Sequence, residues 1–154
     1  MTETQLPGWL GYALLGGLGV FMLTVAATVT TVSAFMSLSM NPPQVLVSLD
    51  RTSGLLTRLH VGSRLGLNVL AAHQDQIALR FASKGIDKFA DIPWHLEHGV
   101  PVLTERHAWL AGRVYRRIQA GDQVLVLADV LHAEGGEHAP LTYWQRTFGT
   151  HKAF

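Results

Sequence analysis

The sequence predicts a mainly β protein, a small β-barrel decorated by a few short helices, and three observations predict it. Short runs rich in Val, Leu and Thr recur along the chain, punctuated by Gly, Pro, Asn and Asp. Several of these runs alternate with period two, as a strand with unlike faces does. Helical spacing of apolar residues is confined to brief stretches, and no internal repeat, low-complexity tract or linker is present. The 154 residues are read as a single domain, 1–154, with a sizeable core and residues 1–8 loosely packed or disordered.

Taken in order, Gly8 to Leu18 reads as a short helix ended by Gly16, Gly17 and Gly19. Val20 to Thr24 is a first strand, and Val25 to Ser39 holds one or two more. Val45 to Leu49 is a continuous apolar strand. Asp50-Arg51-Thr52-Ser53 offers several N-caps for a short helix over Ser53 to His60, with Leu55, Leu56 and Leu59 at helical spacing. After the Gly62-Ser63 turn, Leu65 to Leu70 is a strand, and Asp75 to Phe81 a helix with Ile77 and Phe81 one turn apart. Lys84 to Trp94 is a loop anchored by Phe89 and Trp94. His107 to Ile118 alternates, Gly121-Asp122 turns the chain, and Gln123 to Leu131 is a strand apolar on both faces. Gly135-Gly136 opens the next loop, and Leu141 to Phe148 is an aromatic closing segment.

Composition narrows the partners. A net charge of +1 and a pI near 8.2 give no footprint for nucleic acid; the one basic cluster is Arg113, Arg116 and Arg117. Zero cysteines exclude disulfides, thiolate metal sites and a cysteine nucleophile, and are compatible with the cytoplasm. Between Glu3 and Asp50 no residue is charged, a stretch long enough to span a bilayer. Its dense Thr and Ser, its alternation from Leu23 to Thr30 and the absence of a preceding Lys or Arg argue for a buried helix and core strands instead, with no membrane segment.

The run from Thr31 to Pro43 organises the rest. Hydroxyl residues alternate with apolar ones until Asn41-Pro42-Pro43, where two missing donors and two fixed φ angles stop the strand. Such an edge, crowded with small side chains, either seats a flat, polar-edged ligand or is an ordinary barrel strand with serines toward water. Asn68, inside an apolar strand, is either a satisfied core amide or a ligand contact. The Arg51-Thr52-Ser53 group starts a helix, where free N–H groups suit phosphate. Eight histidines invite a metal, and His95-x-x-His98 lies next to Glu97 with His132 and His138 flanking Gly135-Gly136. No His-Glu-x-x-His occurs, so they are read as scattered surface residues and no metal is expected. Gly-x-Ser-x-Gly and Gly-x-Gly-x-x-Gly are both absent, which leaves a serine hydrolase and a dinucleotide fingerprint unsupported.

Together these pieces resemble the flavin reductase-like family, whose fold is the FMN-binding split β-barrel. Thr31 to Pro43 is similar to the signature Thr-x-Ser-Ser-Phe-x-Ser-Val-Ser-x-x-Pro-Pro. Gly19 to Thr24 resembles the opening strand, Val45 to Ser53 the following strand and its polar end, and Leu67 to Gln74 with Phe81-Ala82 the Val-Asn-Val-Leu motif and its helix. Asp87-Lys88-Phe89 with Trp94, Gly121-Asp122 and Pro140 to Tyr143 match shorter motifs.

The resemblance implies a cytoplasmic homodimer that binds FMN or FAD near the subunit interface, takes NADH or NADPH as co-substrate, and supplies reduced flavin to a partner flavin-dependent monooxygenase. Thr31, Ser33, Ala34, Ser37, Ser39, Ser48, Asp50, Arg51, Thr52, Ser53, Asn68, Phe81 and Lys84 are the flavin contacts so implied, with Gln123 near the nicotinamide. Three departures stand out. Val25 to Thr30 is short and lacks the usual turn residues, Ala34 stands where a second serine is usual, and Gln123 replaces a histidine. They motivate two alternatives on the same barrel. One is a biosynthetic enzyme acting on a non-flavin substrate without hydride transfer, its apolar pocket lined by Trp109, Tyr115, Tyr143, Trp144 and Phe148. The other is a non-catalytic flavin-binding protein.

Overall fold

The computed structural model describes residues 21–25, 28–32, 34–84, 87–152 and 154. The expected helix over Gly8 to Leu18 and the candidate Ser33 lie outside the described residues. Strands β1 (Phe21–Val25), β2 (Thr28–Val32), β3 (Phe35–Met40), β4 (Pro43–Asp50), β5 (Arg64–Val69), β8 (Ala108–Ala120) and β9 (Gln123–Gly135) form one seven-stranded antiparallel sheet, ordered β2-β1-β5-β8-β9-β4-β3. Two hairpin ribbons complete the strands: β6 (Trp94–Glu97) with β7 (Val100–Leu103), and β10 (Leu141–Trp144) with β11 (Thr147–Thr150).

The sheet curls until its two ends share a core. Val32 from β2 and Phe35 from β3, on opposite edges, pack in one cluster with Val45, Val47, Leu65, Leu67, Leu110 and Val126. Burial of such side chains contributes about 1.5–3 kcal/mol each, and closing the sheet is what buries them on every strand. A second cluster (Leu70, Ala78, Phe81, Leu103, Leu141) lies under helix α1 (Asp75–Ala82), and a third (Val100, Val102, Trp109, Ala111) under the β6–β7 ribbon. Strand β8 is therefore covered on both faces over its first half.

Several elements fall where the sequence places them: β1, β4, β5, α1, the Gly121-Asp122 turn and the Phe89–Trp94 ring pair, 5.2 Å between centroids. Ser53 caps a 3₁₀ turn, Gly54–Thr57, by accepting from the Leu55 N–H; the helix expected to reach His60 stops after this one turn. Arg117 Nη1 then donates to the carbonyls of Leu56 and Leu59 at 3.1 and 3.0 Å, satisfying groups that a short helix leaves open. Two expectations are corrected. Although the segment Val25 to Thr30 lacks the usual turn residues, Val25 ends β1 and Thr28 begins β2, and the two strands pair antiparallel from Val25↔Thr28 to Phe21↔Val32. The loop expected up to Trp94 is followed by two strands, β6 and β7, that the sequence did not suggest.

Gly66 of β5 shows how tightly the barrel wall is packed. A Cβ there would lie 2.5 Å from the Thr24 hydroxyl and 2.8 Å from Val100 Cβ, while Thr24 itself donates to the Gly66 carbonyl at 3.2 Å. No helix among the described residues is long and apolar enough to cross a membrane.

Candidate functional site

The Thr31 to Pro43 run does not form one strand. It ends β2 at Val32 and begins β3 at Phe35, so its two halves lie on opposite edges of the sheet. On the β2 side, the Thr31 hydroxyl donates to the carbonyl of Ala78 at 2.8 Å and pins the strand to α1. Strand β2 also packs against the 3₁₀ turn. On the β3 side, Ser37 and Ser39 are half-buried, and neither hydroxyl has a side-chain hydrogen bond among the described residues.

The serines do not share a face as simple alternation requires. A bulge at Leu38 leaves Ser37 opposite Val45 and Ser39 opposite Gln44, successive positions of β4 that point to opposite sides. Bulges near sites re-aim side chains in this way. The chain then reverses through the cis Asn41-Pro42 peptide into β4. Ala34 is exposed, and its carbonyl accepts from the Ser48 N–H at 2.9 Å.

Strand β4 carries the site to its other end. Ser48 donates to Gln123 Oε1 at 3.0 Å, and Asp50 sits directly opposite Gln123 across the β4–β9 pair. Asp50 Oδ1 accepts from the Thr52 hydroxyl at 2.6 Å and from the Thr52 N–H at 2.8 Å, closing the turn. Those bonds, the hydroxyl's first, hold the Asp50 carboxyl below the usual carboxylate range, helped by the charge of Arg51. Arg51 is exposed and its N–H bonds the Asp122 carbonyl at 2.8 Å. Ser48, Asp50 to Ser53 and Gln123 thus form one contiguous polar patch beside the β3 edge.

The remaining predicted contacts separate into accessible and buried. Lys84 is exposed just past the end of α1. Phe81 is fully buried in the second core, and its carbonyl accepts from Lys88 Nζ at 2.8 Å; Lys88 also donates to Val29 O, and burial lowers its pKa. Asn68 is a correction. It is fully buried, its Nδ2 donates to Pro101 O at 3.0 Å and its Oδ1 accepts from Leu103 N at 2.9 Å, so it ties β5 to β7 and offers no surface to a ligand. Gln74 behaves alike, holding Ala71 N and Thr104 O at 2.9 Å each.

The five aromatics considered for an apolar pocket are spread over separate places. Trp109 is buried under the β6–β7 ribbon, Tyr115 reaches Gln44 Oε1 on β4 at 3.3 Å, and Tyr143 packs on Phe148 within the last ribbon beside exposed Trp144. Two of the eight histidines do meet: His98 stacks on His132 near Glu97.

Comparison with known proteins decides the family, because the model of the flavin reductase like domain matches residues 17–152. The chain belongs to the flavin reductase-like family. It is 35% identical over 119 residues to the reductase component of a 4-nitrophenol 4-monooxygenase/4-nitrocatechol 2-monooxygenase from Rhodococcus opacus, covering 77% of this chain and 64% of that protein. It is 35% identical over 120 residues to an NADH:FMN oxidoreductase from Rhodococcus qingshengii, covering 73% and 62%. The chain therefore spans just under two thirds of these relatives' lengths. Among solved structures, the NADH:FAD oxidoreductase of Streptomyces globisporus, in complex with NAD and FAD fragments, superposes with a TM-score of 0.81 at 25% identity, covering 90% of this chain and 89% of that one. The β3 edge suits the family's flavin chemically: unspent serine hydroxyls, edge-strand backbone groups and a polar turn are what a flat ring with a polar rim and an anionic tail requires.

Proposed function

We propose that this chain is an NAD(P)H-dependent flavin reductase that passes reduced FMN or FAD to a separate flavin-dependent monooxygenase. The carrying observation is the β3 edge, where Ser37 and Ser39 keep unpartnered hydroxyls along strand β4, whose far end carries the Asp50 to Ser53 turn. In this reading β3 and its bulge position the ring system, the turn at Asp50 to Ser53 and the exposed Lys84 hold the phosphate-bearing tail, and Ser48 keeps Gln123 oriented at the patch. Flavin, when bound, supplies the hydride acceptor for the nicotinamide. The chain's own work is binding, orientation and exclusion of water.

Relatives named as monooxygenase reductase components, NADH:FMN oxidoreductases and an NADH:FAD oxidoreductase support the activity, the co-substrates and the oxygenase partner. A cytoplasmic location is part of the proposal and is supported by NAD(P)H as the proposed co-substrate. A homodimer is part of the proposal. Met36, Leu38 and Met40 of β3 are 47%, 39% and 53% exposed, so the edge is apolar along its length, and a second subunit would cover it beside the flavin.

Steady-state oxidation of NADH and NADPH, with and without added FMN or FAD, tests the reading. The expected result is oxidation that depends on added flavin. Flavin binding with nicotinamide oxidation at background would leave a flavin-binding protein and end the reductase assignment. Light scattering on a sizing column checks the dimer.

A further inference from the structure

Away from the β3 edge, the tip of the β6–β7 ribbon meets strand β9. Glu97 ends β6, and His98-Gly99 make the turn into β7 with φ of 50° and 76°, both left-handed. Arg64 Nη1 donates to the His98 carbonyl at 2.7 Å, fixing that turn against β5. The His98 imidazole stacks on that of His132 with centroids 4.3 Å apart and planes 15° apart. The Trp109 ring flanks both, at 6.0 and 5.1 Å.

Three ligating atoms converge here. One each from Glu97, His98 and His132 lie within 4.8 Å of one another. His132 Nε2 is shielded from water and has no hydrogen-bond partner; Glu134 Oε2 stands 3.8 Å away, in ion-pair range but too far to accept. A buried ring nitrogen left unsatisfied costs stability, which a ligand would recover. His95 Nε2 donates to Glu97 Oε2 at 3.0 Å and orients its carboxylate. A carboxylate so oriented by an outer hydrogen bond is how metal ligands are usually held.

We propose that Glu97, His98 and His132 bind one divalent transition-metal ion, Zn2+ by donor set, and that the ion staples the ribbon tip to β9. Two imidazoles and a carboxylate form a known zinc donor set, with a fourth position left for water. Metal–ligand bonds of about 2.1 Å place tetrahedral donors about 3.4 Å apart. The three atoms, within 4.8 Å of one another, would draw in to that spacing by rotation of the exposed His98 and half-buried Glu97 side chains. The ion would cross-link a two-stranded ribbon, held also by Asn68, Arg64 and the small Trp109 cluster, to the main sheet. It plays no part in hydride transfer, so the inference stands apart from the proposed activity.

Calorimetric titration of the untagged, metal-stripped chain with Zn2+ tests this, alongside the visible spectrum of the Co2+-loaded protein. The expected result is one equivalent bound at micromolar or tighter Kd, a four-coordinate Co2+ spectrum, and a Tm that rises with Zn2+. His98→Ala and His132→Ala should each weaken binding at least tenfold, about what loss of an outer-shell partner alone costs at minimum. His73→Ala, at a surface His–Glu pair 3.1 Å apart, should leave binding unchanged. Should His132→Ala fail to fold, Glu97→Gln and His98→Ala at the hairpin tip carry the test. No stoichiometric binding, or binding that survives His98→Ala, or equal loss in His73→Ala, overturns the proposal and leaves a bare imidazole stack.

Discussion

Strands β2 and β3 come from one run of sequence and end on opposite edges of the sheet, and their hydroxyls are used differently. On β2 the Thr31 hydroxyl is spent inside the chain, donated to Ala78 forty-seven residues away. On β3 the hydroxyls of Ser37 and Ser39 are unspent. Asn68 belongs with Thr31: both its amide groups hold the ribbon carbonyl of Pro101 and the N–H of Leu103. A polar group that already has its partners is architecture; one that lacks them on an accessible edge is available to a ligand. The difference divides the residues implied by the family signature into those spent on building the barrel and those left available on its edge.

Removing spent groups should cost stability and spare flavin affinity. Asn68→Ala deletes two buried hydrogen bonds and leaves Pro101 O and Leu103 N unpaired, for a loss of about 3 kcal/mol in urea unfolding. FMN affinity of the folded variant should be unchanged; a collapse of affinity at wild-type stability would move Asn68 to the ligand side. Thr31→Val should cost about 1 kcal/mol by the same measurement, again without effect on flavin.

The smallest effect concerns Asp50. Its folded pKa is depressed by Thr52, so the carboxylate's contribution is present above the ordinary value of 3.8 and is lost as pH falls through the lowered one. Thermal melts of wild type and Asp50→Asn should therefore differ slightly at neutral pH and converge in acid below that value. A difference that persists or widens in acid would remove the Thr52 bonds as the cause.

Much of the barrel was legible because its strands announce themselves locally. Short apolar runs bounded by turn residues found β1, β4 and β5, helical spacing found α1, and Ser53 was readable as a cap. The β6–β7 ribbon was not, since His95, Glu97 and Pro101 break both strand composition and periodicity, and His98-Gly99 turns the chain without the usual Asn or Asp. The one available signal was Gly99 set between two short runs. The β1–β2 reversal was hidden for another reason. A hairpin without Gly, Asn, Asp or Pro continues the same alternation through the turn, so a folded pair reads as one strand.

The site was legible in residue type but not in use. Whether a serine, threonine or asparagine is spent depends on partners thirty to eighty residues away, such as Asn68 with Pro101 or Ser48 with Gln123. The bulge at Leu38 is also invisible in sequence, and it decides that Ser37 and Ser39 point to opposite sides. The histidine cluster is of the same kind, because β9 and a hairpin tip must meet before His98 and His132 become neighbours.

The most direct test is fluorescence titration of FMN and FAD against wild type, Thr31→Val and the double variant Ser37→Ala/Ser39→Ala. The bulge sets the two serines on opposite sides, so one of them meets the ring; with about 1 kcal/mol for that hydrogen bond lost, the double variant should bind roughly fivefold more weakly at unchanged Tm, and Thr31→Val should match wild type. Equal affinity in the double variant and wild type, or a larger loss in Thr31→Val than in the double variant, would contradict the placement of flavin on the β3 edge.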